Sequence, residues 1–401
     1  MKYNLSISSN SYLLCSLSNY TFLFVLCSYL FVSCSNEEPA AILPSQPKTE
    51  RVIIAYLATD NSLSFEVDQK ITALIEGFLA TENNDQNKLF IYHDRKNTSP
   101  QLIQINAQAE EQKQIIKNYP SQNSASDKVF AQVMKDVLEN YPAASYGLIL
   151  FSHGTAWLPA KGLKEPYVLS VSARTVATDN DDEMELKDFA SSLPLANGRK
   201  WSFILFEGCY MGSIEVAYEL KDKTEAIIAS PTEIVSPGMK EVYPLALSQL
   251  YLPSPGLEDF ARSYFEVWDN KYGDYRSATI SVIRTEYLDE LATLARAALI
   301  RWKPNEETIN GLQCFNRNEW HLFFDLKETL LTANPALETY INNLWKSMVI
   351  YAAATPTFLK NLPYGFNIRT YSGLSCYIPR SDFLGANQAY EQTAWWRMVY
   401  K

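Results

Sequence analysis

The chain has 401 residues, a formal net charge of −10, and 47% hydrophobic and 20% charged residues, a composition that excludes a disordered or fibrous protein and indicates a globular one. Its 35 basic residues are scattered among 45 acidic ones and form no stripe that could neutralise successive phosphates, so no nucleic acid partner is expected. Because a single hydrophobic core stops growing at roughly 250–300 residues, this length indicates a main domain and an appended one.

The amino terminus predicts export rather than a folded element. Residues 20–32 form an apolar run with the length of a signal-peptide core, too short to span a bilayer as a helix. The run is followed by Ser33 and Cys34, a pair that resembles the lipobox of bacterial lipoproteins. We therefore expect a signal peptide over residues 1–33 and a Pro-rich tether over 34–49. Cys34 would be the lipid anchor, on the periplasmic or cell-surface side of a bacterial envelope membrane, and an ordinary signal peptide cleaved nearby is the alternative.

Between residues 50 and 285, apolar runs alternate with segments of helical spacing. Strands are predicted over residues 51–57, 88–93, 146–152, 201–206 and 225–230. Helices are predicted over residues 64–81, 126–140 and 186–193, and another is predicted to begin at Ser213. Since no hairpin is evident between the strands, the pattern favours an α/β fold with a mostly parallel sheet flanked by helices.

After residue 285 the pattern changes to helical spacing. Helices are predicted over residues 287–302, 321–332 and 337–353, and a short strand over residues 373–379. We therefore expect residues 50–285 to form the main domain. Residues 286–401 are expected to form a smaller, largely helical region that returns to a strand.

Two predicted strands end in reactive side chains. His153 and Gly154 follow the third strand, and Cys209 follows the fourth. Functional groups in a parallel sheet gather beyond the carboxyl ends of the strands, so we expect both side chains at one rim of the sheet. There an imidazole can take the proton of a thiol, and the thiolate can attack a carbonyl group. The N–H groups of Gly154 and Cys209 would form the oxyanion hole. The alternative is that His153 is an ordinary turn residue and Cys209 a small buried hydrophobic residue.

The stretches around these two residues resemble the histidine and cysteine motifs of the clostripain family of cysteine peptidases. They are residues 151–157 (FSHGTAW) and 207–220 (EGCYMGSIEVAYEL), and the similarity extends to residues 54–63, 182–186 and 373–379. The resemblance implies a caspase-like fold shared with gingipains and legumains. It also implies a Cys–His dyad that cleaves proteins or peptides, with Cys209 as the nucleophile and His153 as the general acid–base.

The resemblance further implies cleavage after Arg or Lys, because the family places an acidic residue two positions before the nucleophile in the substrate pocket. Glu207 stands there in this chain, where the family usually has Asp. A second acidic position of many relatives falls in residues 237–240, which read PGMK here, so Glu233 is the nearest substitute. The alternatives are the same mechanism with a non-basic preference, or a surface binding lipoprotein whose catalytic site has drifted.

The resemblance also implies activation by cleavage, because several relatives are zymogens cut between the two motifs. Arg174 is the predicted autoprocessing site, because it lies in a stretch of small, polar residues. The acidic run at residues 179–183 could bind Ca²⁺, but it lacks the spacing of an EF-hand loop and is more typical of a solvated loop. We expect no metal or other cofactor, and we expect a monomer.

Overall fold

The computed structural model describes residues 49–82, 84–159, 162–168, 176–180 and 182–401. The predicted signal peptide, the anchor Cys34 and the tether up to residue 48 lie outside the described residues, and so does Arg174. Within the described ranges, no helix combines the length and the apolar character needed to cross a bilayer.

Fifteen strands are present among the described residues. They are β1 (Thr49–Thr59), β2 (Asn87–Arg95), β3 (Gln101–Ile105), β4 (Lys113–Asn118), β5 (Ala143–Phe151), β6 (Ala177–Asp179), β7 (Asp182–Met184), β8 (Phe203–Glu207), β9 (Ala226–Ala229), β10 (Thr279–Arg284), β11 (Phe324–Asp325), β12 (Val349–Ala354), β13 (Thr357–Phe358), β14 (Phe366–Asn367) and β15 (Ser375–Cys376).

Twelve α-helices accompany these strands in the described part of the chain. They are α1 (Val67–Leu79), α2 (Asp127–Asn140), α3 (Leu186–Ser192), α4 (Ile214–Leu220), α5 (Tyr243–Ala246), α6 (Leu257–Asp269), α7 (Leu288–Leu299), α8 (Glu306–Gly311), α9 (Leu326–Ala333), α10 (Glu338–Met348), α11 (Leu384–Tyr390) and α12 (Ala394–Tyr400). Short 3-10 turns occupy Ser64–Glu66, Leu247–Tyr251, Gly273–Tyr275, Thr285–Tyr287 and Pro335–Leu337.

Nine of the strands form one sheet in the order β12-β10-β9-β8-β5-β1-β2-β3-β4. The five central strands, from β9 to β2, are parallel, and the two strands at each edge pair antiparallel to their neighbours. This mostly parallel sheet flanked by helices confirms the predicted α/β fold class. Parallel strands align their carboxyl ends, so the loops that follow β1, β2, β5 and β8 lie along one rim.

The sheet is buried on both faces because consecutive residues of its central strands point to opposite sides. In β1, Ile54 and Tyr56 join the core that contains α2, α3 and α4, whereas Ile53 and Leu57 join the core that contains α1, α5 and α6. Burying each such side chain contributes about 1.5–3 kcal/mol. The apolar runs that predicted the strands are therefore the residues that hold the helices on both sides.

Several elements differ from the sequence-based predictions at their ends. Helix α1 begins at Val67 rather than at residue 64, and Phe65, which lies within the predicted helix, is 73% exposed. The predicted helix over residues 337–353 ends at Met348, and the residues that follow form the edge strand β12. Backbone pairing of β12 with β10 outweighs the local helical spacing there.

The region after residue 285 shares a core with the sheet. Trp395 of α12 is fully buried, and its ring meets the ring of Tyr218 in α4 edge to face with centroids 5.5 Å apart. The N–H of Ala394 donates to the carboxylate of Glu219 over 2.9 Å. Strand β15 lies against the start of α4, because the N–H of Ser375 donates to the carbonyl of Gly212 over 2.9 Å.

Candidate active site

The register of two neighbouring strands brings the two motifs together. Strands β5 and β8 are parallel, and Phe151 lies opposite Glu207. His153 and Cys209 each follow two residues later, so both emerge from the same rim. The loops are in contact, because a Cβ atom placed on Gly154 would lie 2.9 Å from the carbonyl oxygen and 3.4 Å from the amide nitrogen of Cys209. A side chain at position 154 would push the two loops apart.

His153, Gly154 and Cys209 line one cavity of about 1130 Å³ at this rim. Its wall also includes residues that come from the ends of β1, β6 and β9 and from the region after residue 285. They are Asn61, Ser62, Lys96, Thr155, Leu163, Thr178, Asn180, Glu183, Tyr210, Glu233, Ile234, Val235, Arg317 and Leu359. The cavity is large enough to admit several residues of a peptide.

His153 is half-buried, and its Nε2 atom lies 2.7 Å from the hydroxyl oxygen of Ser62. Burial lowers the pKa of the His153 imidazole, and the negative charge of Glu66 opposes this effect. A lowered pKa keeps the ring neutral near pH 7, which is the form that can accept a proton. Sequence reasoning did not single out Ser62, although it follows a predicted strand as His153 and Cys209 do.

Cys209 is a free, half-buried cysteine whose sulfur accepts a hydrogen bond from the N–H of Ile234 over 3.4 Å. Burial raises the pKa of the Cys209 thiol to about 11, although the Ile234 N–H opposes this effect. The sulfur therefore carries its proton near pH 7 when no substrate is bound. A base must remove that proton before the sulfur can attack.

The turn that carries Cys209 is held in a rare backbone conformation. Tyr210 has a φ angle of +64°, which is uncommon for a residue with a side chain. The Tyr210 N–H donates to the carbonyl of Thr232 over 2.9 Å, and the Tyr210 ring stacks on Phe323 with centroids 4.9 Å apart. Outliers of this kind persist only where the surroundings enforce them, and they concentrate at functional sites.

Glu233 lies on the cavity wall, as expected of a substrate-contacting residue, but its charge is compensated within the protein. Its Oε2 atom accepts from Nε and Nη2 of Arg317, each at 2.8 Å. Its Oε1 atom accepts from the Tyr210 hydroxyl at 3.0 Å. Arg317, which the sequence analysis did not single out, belongs to the region after residue 285 and supplies this counter-charge.

Glu207 does not line the cavity, contrary to its predicted contact with a substrate side chain. Its side chain is inaccessible to solvent and forms an ion pair with Lys70 of α1. The same carboxylate accepts from the N–H of Met239 at 2.5 Å and from the hydroxyl of Tyr243 at 2.7 Å. Both oxygens are therefore already occupied by groups of the protein.

The acidic run lies beside the cavity, in the hairpin of β6 and β7. Asp179 accepts from the N–H of Ser124, and the Ser124 hydroxyl donates to Asp94 at the end of β2. Burial raises the pKa of the Asp94 carboxyl to about 7, and the charge of Asp179 adds to this effect. No group of three or more His, Cys, Asp or Glu side chains in the described ranges is arranged to hold a metal ion.

Comparisons with known proteins agree on one family. The sequence model of the clostripain family matches residues 55–350. An inactive zymogen C11 protease from Parabacteroides distasonis is 30% identical, with a TM-score of 0.75 over 90% of this chain and 100% of that one. A secreted C11 cysteine protease from Bacteroides thetaiotaomicron, solved with an irreversible peptide inhibitor, is 26% identical, with a TM-score of 0.74 over 87% of this chain and 98% of that one. No curated protein matches the chain.

Proposed function

The chain belongs to the clostripain family of cysteine peptidases, and we propose that it hydrolyses peptide bonds with Cys209 as the nucleophile and His153 as the general acid–base. One observation carries the proposal. The loops that bear the two residues touch at Gly154, and both side chains line the same open cavity. The reaction is that of a cysteine endopeptidase, and we assign it to these two residues.

The first half of the reaction follows from the protonation states of the two side chains. The neutral imidazole of His153 removes the proton from the sulfur of Cys209 as the sulfur attacks the peptide carbonyl. The N–H groups of Gly154 and Cys209 donate to the oxyanion that develops on the carbonyl oxygen. The imidazolium then passes its proton to the leaving amine, the C–N bond breaks, and the acyl group remains on sulfur as a thioester.

The second half restores the enzyme. His153, now neutral, removes a proton from a water molecule as its oxygen attacks the thioester carbonyl. The same two N–H groups stabilise the second oxyanion. Sulfur leaves as the C–S bond breaks, and His153 returns the proton to it, so the peptide acid is released and Cys209 is a thiol again.

The proposal includes export, with Cys34 as a lipid anchor. The apolar run over residues 20–32 and the Ser33-Cys34 pair that follows it support export and anchoring. One of the similar B. thetaiotaomicron proteases is described as secreted. We also propose an activation cut after Arg174, which a second protease with a preference for basic residues would make, and the similar P. distasonis protein is described as an inactive zymogen.

Covalent labelling followed by mass spectrometry tests the dyad. A peptidyl acyloxymethyl ketone should modify Cys209 in the wild type, and Cys209→Ala should abolish both labelling and peptide cleavage. Cys314→Ala is the matched control, because Cys314 is also free and half-buried but does not line the cavity. His153→Ala should keep the thiol and lose cleavage.

Two results would contradict the proposal. Cleavage by Cys209→Ala would show that another group is the nucleophile. A folded wild type that, both uncut and cut after Arg174, neither reacts with the ketone nor cleaves any member of a mixed peptide library would favour the alternative, a binding protein on the same scaffold.

A further inference from the structure

We propose that Lys70 determines the substrate preference of this site by neutralising Glu207 from within the protein, so that the enzyme cleaves after uncharged residues rather than after Arg or Lys. This inference rests on the proposed role of Cys209. It concerns the residue on the amino side of the cleaved bond, whose side chain enters the cavity beside the nucleophile.

Lys70 is an integral part of the protein interior. It lies in the first turn of α1, is 1% exposed, and forms an ion pair with Glu207. Its ammonium group also donates to the carbonyl of Pro237 over 2.8 Å and lies 4.5 Å from the centre of the Phe151 ring. A buried ammonium needs such partners, because leaving it without them is strongly unfavourable.

Glu207 already accepts hydrogen bonds from three groups of the protein, and its side chain is inaccessible to solvent. Its Oε1 atom accepts from Lys70 and from the Met239 N–H, and its Oε2 atom accepts from the Tyr243 hydroxyl. An incoming guanidinium or ammonium would have to displace Lys70. That exchange would replace one ion pair with another and leave the buried Lys70 with only the more distant carboxylate of Glu66, 3.9 Å away, so a basic substrate gains little from it.

The ion pair lies directly behind the cavity wall next to the nucleophile. Ile234 and Val235 line the cavity, and the N–H of Ile234 bonds the sulfur of Cys209. Three residues after Val235, a Cβ atom on Gly238 would lie 2.3 Å from Oε1 of Glu207 and 3.3 Å from Nζ of Lys70. The backbone at Gly238 therefore packs tightly against the pair.

The acidic side chains on the cavity wall already interact within the protein, so they attract a substrate cation only weakly. Glu233 is paired with Arg317 and bonded by Tyr210, and Glu183 also interacts within the protein. Leu163, Ile234, Val235 and Leu359 supply apolar surface, and Lys96 adds a positive charge. A side chain without charge therefore matches this wall better than Arg or Lys does.

The test compares ketone inhibitors that differ only in that side chain, namely lysine against norleucine and arginine against citrulline. The rate of Cys209 modification is measured for the wild type and for Lys70→Met. We expect the wild type to react faster with the neutral member of each pair. Lys70→Met removes the counter-charge of Glu207 next to the cavity, so it should raise the lysine-to-norleucine rate ratio by more than roughly tenfold.

A double variant keeps the test decisive if Lys70→Met does not fold. Lys70→Met with Glu207→Gln removes both charges with side chains of similar size, and it should keep the wild-type ratio within roughly threefold. Lys240→Met is the matched control, because Lys240 lies nearby but bonds Gln69 rather than Glu207. It should leave the ratio unchanged.

The inference is overturned if the wild type reacts faster with the basic member of each inhibitor pair. It is also overturned if a folded Lys70→Met keeps the wild-type ratio. Failure of every inhibitor to modify Cys209 would instead overturn the proposed function, so the two failures are distinguishable.

Discussion

The Nε2 atom of His153 and the hydroxyl oxygen of Ser62 lie 2.7 Å apart. The contact joins the loop after β1 to the loop after β5, and these strands are neighbours in the sheet. The hydroxyl can donate to the neutral ring and accept from the protonated ring, so it restrains the ring in both states of the reaction. We therefore expect Ser62 to act on the reaction by positioning His153.

Ser62→Ala should lower kcat by up to roughly tenfold, because a neutral hydrogen bond contributes about 0.5–1.5 kcal/mol. KM should change little, and the acid limb of the pH profile should shift since the partner of the ring is lost. Ser62→Thr should recover part of the rate. Ser191→Ala, in an exposed position on α3, is the control. An unchanged kcat and pH profile would show that the contact has no catalytic role.

The opposite pKa shifts of the dyad predict two different pH dependences. His153 must be neutral to act as the base, and burial lowers its pKa, so kcat/KM should rise with a midpoint below about 6.5. Alkylation of the substrate-free enzyme by iodoacetamide requires the thiolate. Its rate should keep rising well above neutral pH, because the pKa of Cys209 is about 11. An alkylation rate already at its plateau near pH 7 would indicate a preformed thiolate–imidazolium pair instead.

Gly154→Ala should separate the two loops. The added methyl group would lie 2.9 Å from the carbonyl oxygen of Cys209 and 3.2 Å from the sulfur of Met211. We expect kcat to fall roughly 100-fold, since small displacements of catalytic groups have effects of that size. Gly311→Ala is the matched control, because no atom lies within 4 Å of its added methyl group. Equal activity of the two variants would remove the argument for contact at this position.

Asp94 should make the free energy of unfolding fall as the pH rises, whereas a carboxylate in a surface ion pair has the opposite effect. Its pKa is raised to about 7 in the folded protein, so the folded state holds the proton more tightly than the unfolded state. The stabilising effect of that proton is complete below about pH 4 and is lost as the pH rises through about 7.

Asp94→Asn removes this titration and can still accept from Ser124. It should raise Tm by about 2–4 °C near pH 8 and by less near pH 5. Asp188→Asn, on the exposed side of α3, should have little effect at either pH. The same change in Tm at both values would show that Asp94 does not carry a raised pKa.

Arg174→Ala tests the proposed activation cut. If the enzyme is processed after this residue, the variant should remain a single chain on denaturing gels and should stay inactive until another protease cuts it. Lys187→Ala, in the first turn of α3, is the control and should be processed normally. Normal processing of the Arg174 variant would place the cut elsewhere.

The central fold could be predicted because each parallel strand is a run of apolar residues buried on both faces. Strands β3, β4 and β10 were not predicted, and β4 is largely exposed, with only Ile115 and Ile116 as a short apolar pair between polar residues. Strand β12 was predicted as part of a helix, since its sequence VIYAAA fits either structure until its pairing with β10 is known.

At the site, His153 and Cys209 could be found because each follows a predicted strand directly. Arg317 could not, because it reaches the cavity from a distant part of the chain. Nothing in the sequence distinguishes Lys70 from other lysines either. A lysine in a helical segment is ordinarily solvent-exposed, and only the structure shows that this one points inward to Glu207.

Residues after position 285 supply Arg317 and Leu359 to the cavity and β12 to the edge of the sheet. A truncated protein ending at residue 285 would leave the hydrogen-bonding groups of β10 unpaired, and unpaired strand edges promote aggregation. It would also release Glu233 from its guanidinium partner and change the charge next to Cys209. Expression of the catalytic half alone is therefore expected to yield insoluble, inactive material, and engineering of this peptidase must begin from the whole chain.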